Sequence, residues 1–168
     1  VLEANHEWWW RERDGNNNGV LEYGTSPVGD GLYRGTKLAA KDESMMDNSP
    51  IHDEAVLNEA AHTMDIEDIA LNSFVALDGE VLALMAAELG LTEKAARMAA
   101  RAEGLKARIR DHLWDPDRRI FANRLWSGKF AESLAPTSFF ALACGAATPE
   151  QASDLVERHL LNEVEFWG

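Results

Sequence analysis

Asp65-Ile66-Glu67-Asp68-Ile69-Ala70-Leu71-Asn72-Ser73-Phe74-Val75-Ala76-Leu77-Asp78-Gly79-Glu80-Val81-Leu82-Ala83-Leu84-Met85-Ala86-Ala87-Glu88-Leu89-Gly90 is the stretch that decides the fold class. Within it Ile66, Ile69, Ala70, Phe74, Leu77, Val81, Leu84, Met85 and Leu89 recur at three-and-four spacing, which predicts a helix that buries that face. Asp65 is placed to cap its start, and Gly90 suits the left-handed residue that ends a helix. A second helix is expected from Thr92 as N-cap, burying Ala95, Met98, Ala102, Leu105, Ile109 and Leu113. So short a connection makes the pair an antiparallel hairpin.

Working outward, Asp115-Pro116-Asp117 reads as a turn, and Arg119 to Arg124 as a short extended piece. Pro136 opens another helix, closed by Gly145. Thr148-Pro149-Glu150-Gln151 carries a capping-box pattern with Pro at the first helical position, and that helix should run to about Leu161. No sustained apolar/polar alternation supports a sheet. Upstream, Asp14 to Pro50 is dense in Gly, Asn, Pro and Ser, including Pro27, Gly29 and Gly31, and reads as irregular structure. A loop of that length in a compact domain usually binds or catalyses. The expected architecture is all-α, helical hairpins with long loops at one end.

The 168 residues are 46% hydrophobic and 27% charged, enough for one core. A net charge of −13 excludes the clustered cations that a nucleic acid partner needs. Cys144, the single cysteine, lies in an apolar run and reads as a small buried hydrophobe. No membrane span and no signal peptide are expected, and the expected location is cytoplasmic. The five histidines form no zinc-like spacing, and no Gly-x-Ser-x-Gly elbow occurs. Trp8-Trp9-Trp10 cannot all share one helical face, so one indole is expected to be exposed.

Two clusters can carry chemistry. Asp14-Gly15-Asn16-Asn17-Asn18-Gly19-Val20-Leu21-Glu22 sets oxygen side chains at loop positions one, three, five and nine, with glycine at six. That is the first part of a calcium loop, in which the Val20 carbonyl would serve at position seven. Thr25 stands where the bidentate Glu belongs, so another carboxylate must complete the shell. A plain Asn/Gly turn explains the same residues without metal. Asp42-Glu43-Ser44-Met45-Met46-Asp47-Asn48-Ser49-Pro50 offers the carboxyl groups that acetal cleavage needs, with Met45 and Met46 as apolar surroundings for an acid. The alternative is that Asp47 or Ser49 caps a helix with Pro50 at N1.

The run Trp10 to Gly24 resembles the segment before the catalytic acid in glycoside hydrolase family 63, a family of α-glucosidases and mannosylglycerate hydrolases. Glu43-Ser44-Met45-Met46-Asp47-Asn48-Ser49-Pro50 resembles its Glu-Ser-Gly-x-Asp signature. Asn72-Ser73, Leu89-Gly90, Leu113-Trp114-Asp115-Pro116, Gly128-Lys129-Phe130 and Glu165-Phe166-Trp167-Gly168 continue the likeness in order. The resemblance implies a single partial (α/α)6 toroid over residues 1–168, acting on a small carbohydrate and completed by a missing barrel half. It implies Asp47 as the general acid of an inverting glycosidase, with the general base, a Glu, in a later segment. Trp10, Arg13, Tyr23, Glu43 and Asn48 would bind substrate. Structural Ca2+ would be held by Asp14, Asn16, Asn18, the Val20 carbonyl and Glu67. Met45 replaces the signature glycine and Asp42 a frequent tryptophan, which bears on substrate shape or on activity itself. A non-catalytic calcium- or carbohydrate-binding module is the alternative, and an unrelated helical-hairpin interaction protein a third.

Overall fold

A computed structural model of the chain describes residues 1–26 and 34–166; the loop positions Pro27, Gly29 and Gly31 and the closing Trp167 and Gly168 lie outside the described residues. The order is α1 (Leu2–Glu12), α2 (Lys37–Glu43), a 3-10 turn (Pro50–His52), β1 (Leu57–Asn58), β2 (Thr63–Met64), β3 (Ile66–Glu67), α3 (Ile69–Glu88) and α4 (Thr92–His112). There follow β4 (Trp114–Asp115), β5 (Ile120–Phe121), β6 (Arg124–Leu125), a 3-10 turn (Pro136–Phe139) running into α5 (Phe140–Ala143), and α6 (Pro149–Asp154) with a π-helical continuation, Leu155–Leu160. The strands form two-residue antiparallel ribbons, β1–β2, β3–β6 and β4–β5. The fold is helical, and the ribbons pin loops.

The α3–α4 hairpin forms as expected, and Gly90 ends α3 at φ 72°. α4 buries Met98, Ala102, Leu105 and Ile109, with Leu113 buried just beyond it, while Ala95 is only half-buried. Its N-cap is Leu91, which makes no side-chain cap, rather than Thr92. Thr148 and Gln151 close the expected capping box, with Pro149 at its first position. Gly145 has φ 69°, and Cys144 is buried.

Other expectations are corrected. α3 starts at Ile69 and is capped by Asp68, whose side chain accepts Leu71 N–H at 2.9 Å. Residues 66–67 pair instead with β6, a long-range contact that local spacing does not reveal. The buried face of α3 carries Leu71, Val75, Leu82 and Ala86, whereas Phe74, Leu77, Val81, Leu84, Met85 and Leu89 are exposed. α3 is apolar nearly all round, and such a helix does not announce which face turns inward. By length and mean hydropathy, 1.6, α3 also qualifies as a membrane span, against the expectation of none, although 61% of that window is buried in the fold. Lastly, α2 occupies part of the expected loop; Thr36 caps it by accepting Ala39 N–H.

Candidate active site

The C-terminal end of α1 delivers Arg13 into the interior, where it is 3% exposed. Its Nε donates to Glu43 Oε2 at 2.7 Å and its Nη2 to Glu43 Oε1 at 2.6 Å, while Trp8 stacks under the guanidinium at 4.5 Å. Glu43 Oε2 also accepts Gly24 N–H at 2.8 Å. Gly24 must be glycine, because a Cβ there would lie 2.3 Å from the His62 carbonyl oxygen. Arg13 and Glu43, both expected to meet substrate, therefore hold each other, and Glu43 also holds the backbone at Gly24.

Immediately after Glu43 the chain turns through Met45 at φ 58°. This left-handed conformation is the physical reason a glycine suits the position. Of the two apolar neighbours expected around Asp47, Met45 is 90% exposed and only Met46 is half-buried, and they leave Asp47 itself exposed. Ser49 takes the capping role, accepting Ile51 N–H with Pro50 at N1. Asp47 is thus not a cap. It lies exposed beside the equally exposed Asn48, and no described residue hydrogen bonds to it. Its loop is anchored by the buried Ile51 and His52; His52 Nε2 lies 2.8 Å from Asp68 Oδ2.

Beside the Glu43–Met45 turn lies a cavity of about 260 Å3, lined by Asn5, Trp9, Tyr23, Glu43, Ser44, Met45, Leu71, Phe74, Val75 and Asp78. Burial, reinforced by the negative charges of Asp68 and Glu43, pushes the Tyr23 hydroxyl well above its usual range, so it stays protonated. Trp10 does not line this cavity; its neighbour Trp9 does. All three indoles of Trp8-Trp9-Trp10 are half-buried, correcting the expectation of an exposed one. Asn5, Trp9 and Asp78 were missed by the sequence reading. The signal for Asp78 was present: with Glu80 it is one of two acids near the middle of a largely apolar helix.

The Asp14 loop does meet Glu67. Glu67 is 2% exposed, and its Oε1 accepts Asn16 Nδ2 at 3.2 Å and Asn18 Nδ2 at 2.5 Å, while Oε2 lies 2.6 Å from His112 Nε2. Asp14 accepts Gly19 N–H. Asn17 and Gly19 take the left-handed turns the loop needs, at φ 58° and 79°. Among the described residues no three His, Cys, Asp or Glu side chains gather as a metal site. Any cation would therefore depend on the amides. Asn16 Oδ1 accepts Asn18 N–H at 3.1 Å and Asn18 Oδ1 accepts Val20 N–H at 2.8 Å, so both amides turn their N–H groups, not their oxygens, toward Glu67. Glu22 lies fully buried beneath the loop, accepting Gly15 N–H at 2.8 Å and Trp126 Nε1–H at 3.0 Å. Its carboxyl is pushed up to about 8, chiefly by burial, with Glu67 and Asp14 adding like charge.

The sequence pattern of the mannosylglycerate hydrolase MGH1-like glycoside hydrolase domain matches residues 1–168. No curated protein matches the sequence. Among solved structures, the GH63 mannosylglycerate hydrolase from Thermus thermophilus in complex with glucose is similar, with TM-score 0.63 and 18% identity over 90% of this chain and 41% of that one. An uncharacterized conserved protein from Thermus thermophilus is similar with TM-score 0.65 and 18% identity, over 92% of this chain and 43% of that one. The chain therefore spans less than half the length of these structures, and its helices resemble a fragment of the GH63 helical barrel. With the pattern matched from first residue to last, the chain belongs to the family of MGH1-like glycoside hydrolase domains.

Proposed function

We propose that this domain supplies the acid side of an inverting glycosidase site for an α-glucoside or α-mannoside, of oligosaccharide or glycosylglycerate type. Asp47 protonates the glycosidic oxygen as it leaves, and a Glu outside residues 1–168 activates water on the opposite face of the sugar. The observation that carries this reading is that Ser49 takes the cap. Asp47 is left uncommitted on a loop that follows directly from the cavity wall at Ser44 and Met45. A donor of protons to a sugar oxygen needs its carboxyl within reach of substrate, and the exposed Asp47 meets that need. Burial of the acid would come from the remaining half of the barrel, which would cover the exposed flank of Phe74, Leu77, Val81 and Leu84.

Structural calcium would be held by Asn16, Asn18, Glu67, Asp14 and the Val20 carbonyl. Bound there, it would offset the negative charge around Glu22 and stiffen the loop leading to Tyr23. The projecting Met45 side chain favours a second reading, a non-catalytic sugar-binding module, because a bulky group stands at the cavity rim.

Asp47→Asn in the full-length protein separates the two readings. The glycosidase reading expects turnover to fall by about 10²–10⁴-fold, the usual worth of a general acid, with the thermal melt and sugar binding unchanged. Turnover equal to that of the native protein would overturn the assignment of Asp47. Sugar binding without hydrolysis in the native protein would favour the binding module.

A further inference from the structure

Asp78 is an acid that neither the Arg13–Glu43 pair nor the Asp47 loop uses. It lies on α3 and lines the same cavity as Glu43, with its side chain half exposed. Behind it stands a relay. Trp10 Nε1 can only donate, and it lies 3.2 Å from His6 Nε2, which must therefore accept. The ring proton then sits on Nδ1, which donates to Asp78 Oδ2 at 2.7 Å. His6 itself is 2% exposed and is packed against Gly79, where a Cβ would come within 3.2 Å of its ring. Arg101 covers the far face of Trp10 at 5.3 Å. The relay leaves Asp78 oriented, with Oδ1 unclaimed by any described residue.

We propose that Asp78 binds sugar hydroxyls in the Trp9–Tyr23–Glu43 cavity, and that His6 and Trp10 are the positioning residues that aim its carboxylate. This rests on the glycosidase reading for the class of ligand, one pyranose unit of an α-glycoside. Carboxylates grip hydroxyl pairs through short, charge-assisted bonds. Trp9 and Phe74 supply apolar faces for the ring's C–H surface, and Asn5 a further polar contact at the rim. At about 260 Å3 the cavity falls just below the range for ligand pockets, about 300–1,000 Å3, a size for a single sugar and nothing larger. A purely structural role for Asp78 explains its bond to His6 but not its half-exposed side chain in the cavity that Glu43 also lines.

The test is tryptophan fluorescence of the full-length protein titrated with methyl α-D-mannopyranoside and methyl α-D-glucopyranoside, alongside KM and kcat where turnover is measurable. Asp78→Asn keeps shape and can still accept from His6, so folding is preserved. It is expected to weaken binding of at least one glycoside by about 10- to 100-fold, the worth of a hydrogen bond to a charged group, raising KM with kcat little changed. His6→Phe should produce a comparable loss, His6→Asn should restore most of it by donating from a similar position, and the effects of His6→Phe and Asp78→Asn should not add. Unchanged affinity in Asp78→Asn, additive effects, or no binding of either glycoside by the native protein would overturn the proposal. Because binding is read without turnover, loss of the Asp47 assignment would leave this result standing, and the reverse holds as well.

Discussion

Arg13 and Glu43 share two hydrogen bonds, of 2.7 and 2.6 Å, across a sequence gap of 30 residues, and this pair joins the end of α1 to the end of α2. The Arg13 side chain is 4% exposed and that of Glu43 21%. Breaking a buried pair from one side strands the other charge, at a cost of about 3–5 kcal/mol. Arg13→Ala should therefore lower unfolding free energy by that amount in urea titrations. Glu43→Gln keeps one oxygen for Arg13 Nε and Gly24 N–H but turns an NH2 toward Arg13 Nη2 and strands the buried cation, so it should cost a comparable amount. A loss under about 1 kcal/mol for Arg13→Ala, the range of surface pairs, would show the clamp to be decorative.

Met45 holds a backbone conformation that costs an L-residue about 1–2 kcal/mol relative to glycine, and its side chain returns nothing, being 90% exposed. Met45→Gly recovers that strain and gives back part of it as unfolded-state entropy. The net expectation is stabilisation of about 0.5–1 kcal/mol. Met45→Val should be destabilising, since a branched Cβ tolerates this region worst. Thermal melts of the three proteins would rank Gly above Met above Val; any other order contradicts the strain argument.

Glu22 holds its proton up to about pH 8 in the folded chain, against about 4.5 for a free carboxyl. The folded state therefore binds more protons than the unfolded state between those values. By linkage, the contribution is complete below pH 4.5 and is lost as pH rises toward 8. The lowered carboxyls of Asp115, Asp53 and Glu54 act below that window and do not mask it. In chelator, unfolding free energy should fall as pH rises from about 5 to about 8. Glu22→Gln should flatten the fall. A native profile that rises over this range would be incompatible with a buried, protonated Glu22.

Calcium should raise the melting temperature if the Asp14 loop and Glu67 bind it. At free calcium one hundred times Kd the gain is about 2.7 kcal/mol. Glu67→Gln and Asn18→Ala should abolish that gain, and Asn48→Ala, on the exposed loop beside Asp47, should leave it intact. Identical melts with calcium and with chelator would remove the cation from the account.

Local chemistry was legible where it acts locally. The capping box at Thr148 and the left-handed glycines at Gly90 and Gly145 were readable because each depends on a few neighbouring residues. The phase of α3 was not, because Phe74, Leu77 and Val81 are as apolar as Leu71, Val75 and Leu82, and periodicity cannot choose between two oily faces. The same limit moved the cap from Asp65 to Asp68: both are aspartates, and the pairing of Ile66 with Leu125 decides between them from far along the chain. At the site, Asp47 and Glu43 stand out only through the resemblance to a family signature, because the residues by themselves read equally as a helix cap. The Trp10–His6–Asp78 relay joins two helices more than 65 residues apart, and no spacing rule reaches that far.

Asp78 also bears on how the newly made chain is handled. By length and composition alone α3 could cross a membrane, although 61% of that window is buried inside the fold. An aspartate at the centre of such a segment raises its insertion cost by about 2.5–3.5 kcal/mol, and Glu80 lies two positions on, with a second charge. The group that the relay aims into the cavity thus also marks the helix as one to be packed by protein and not by lipid.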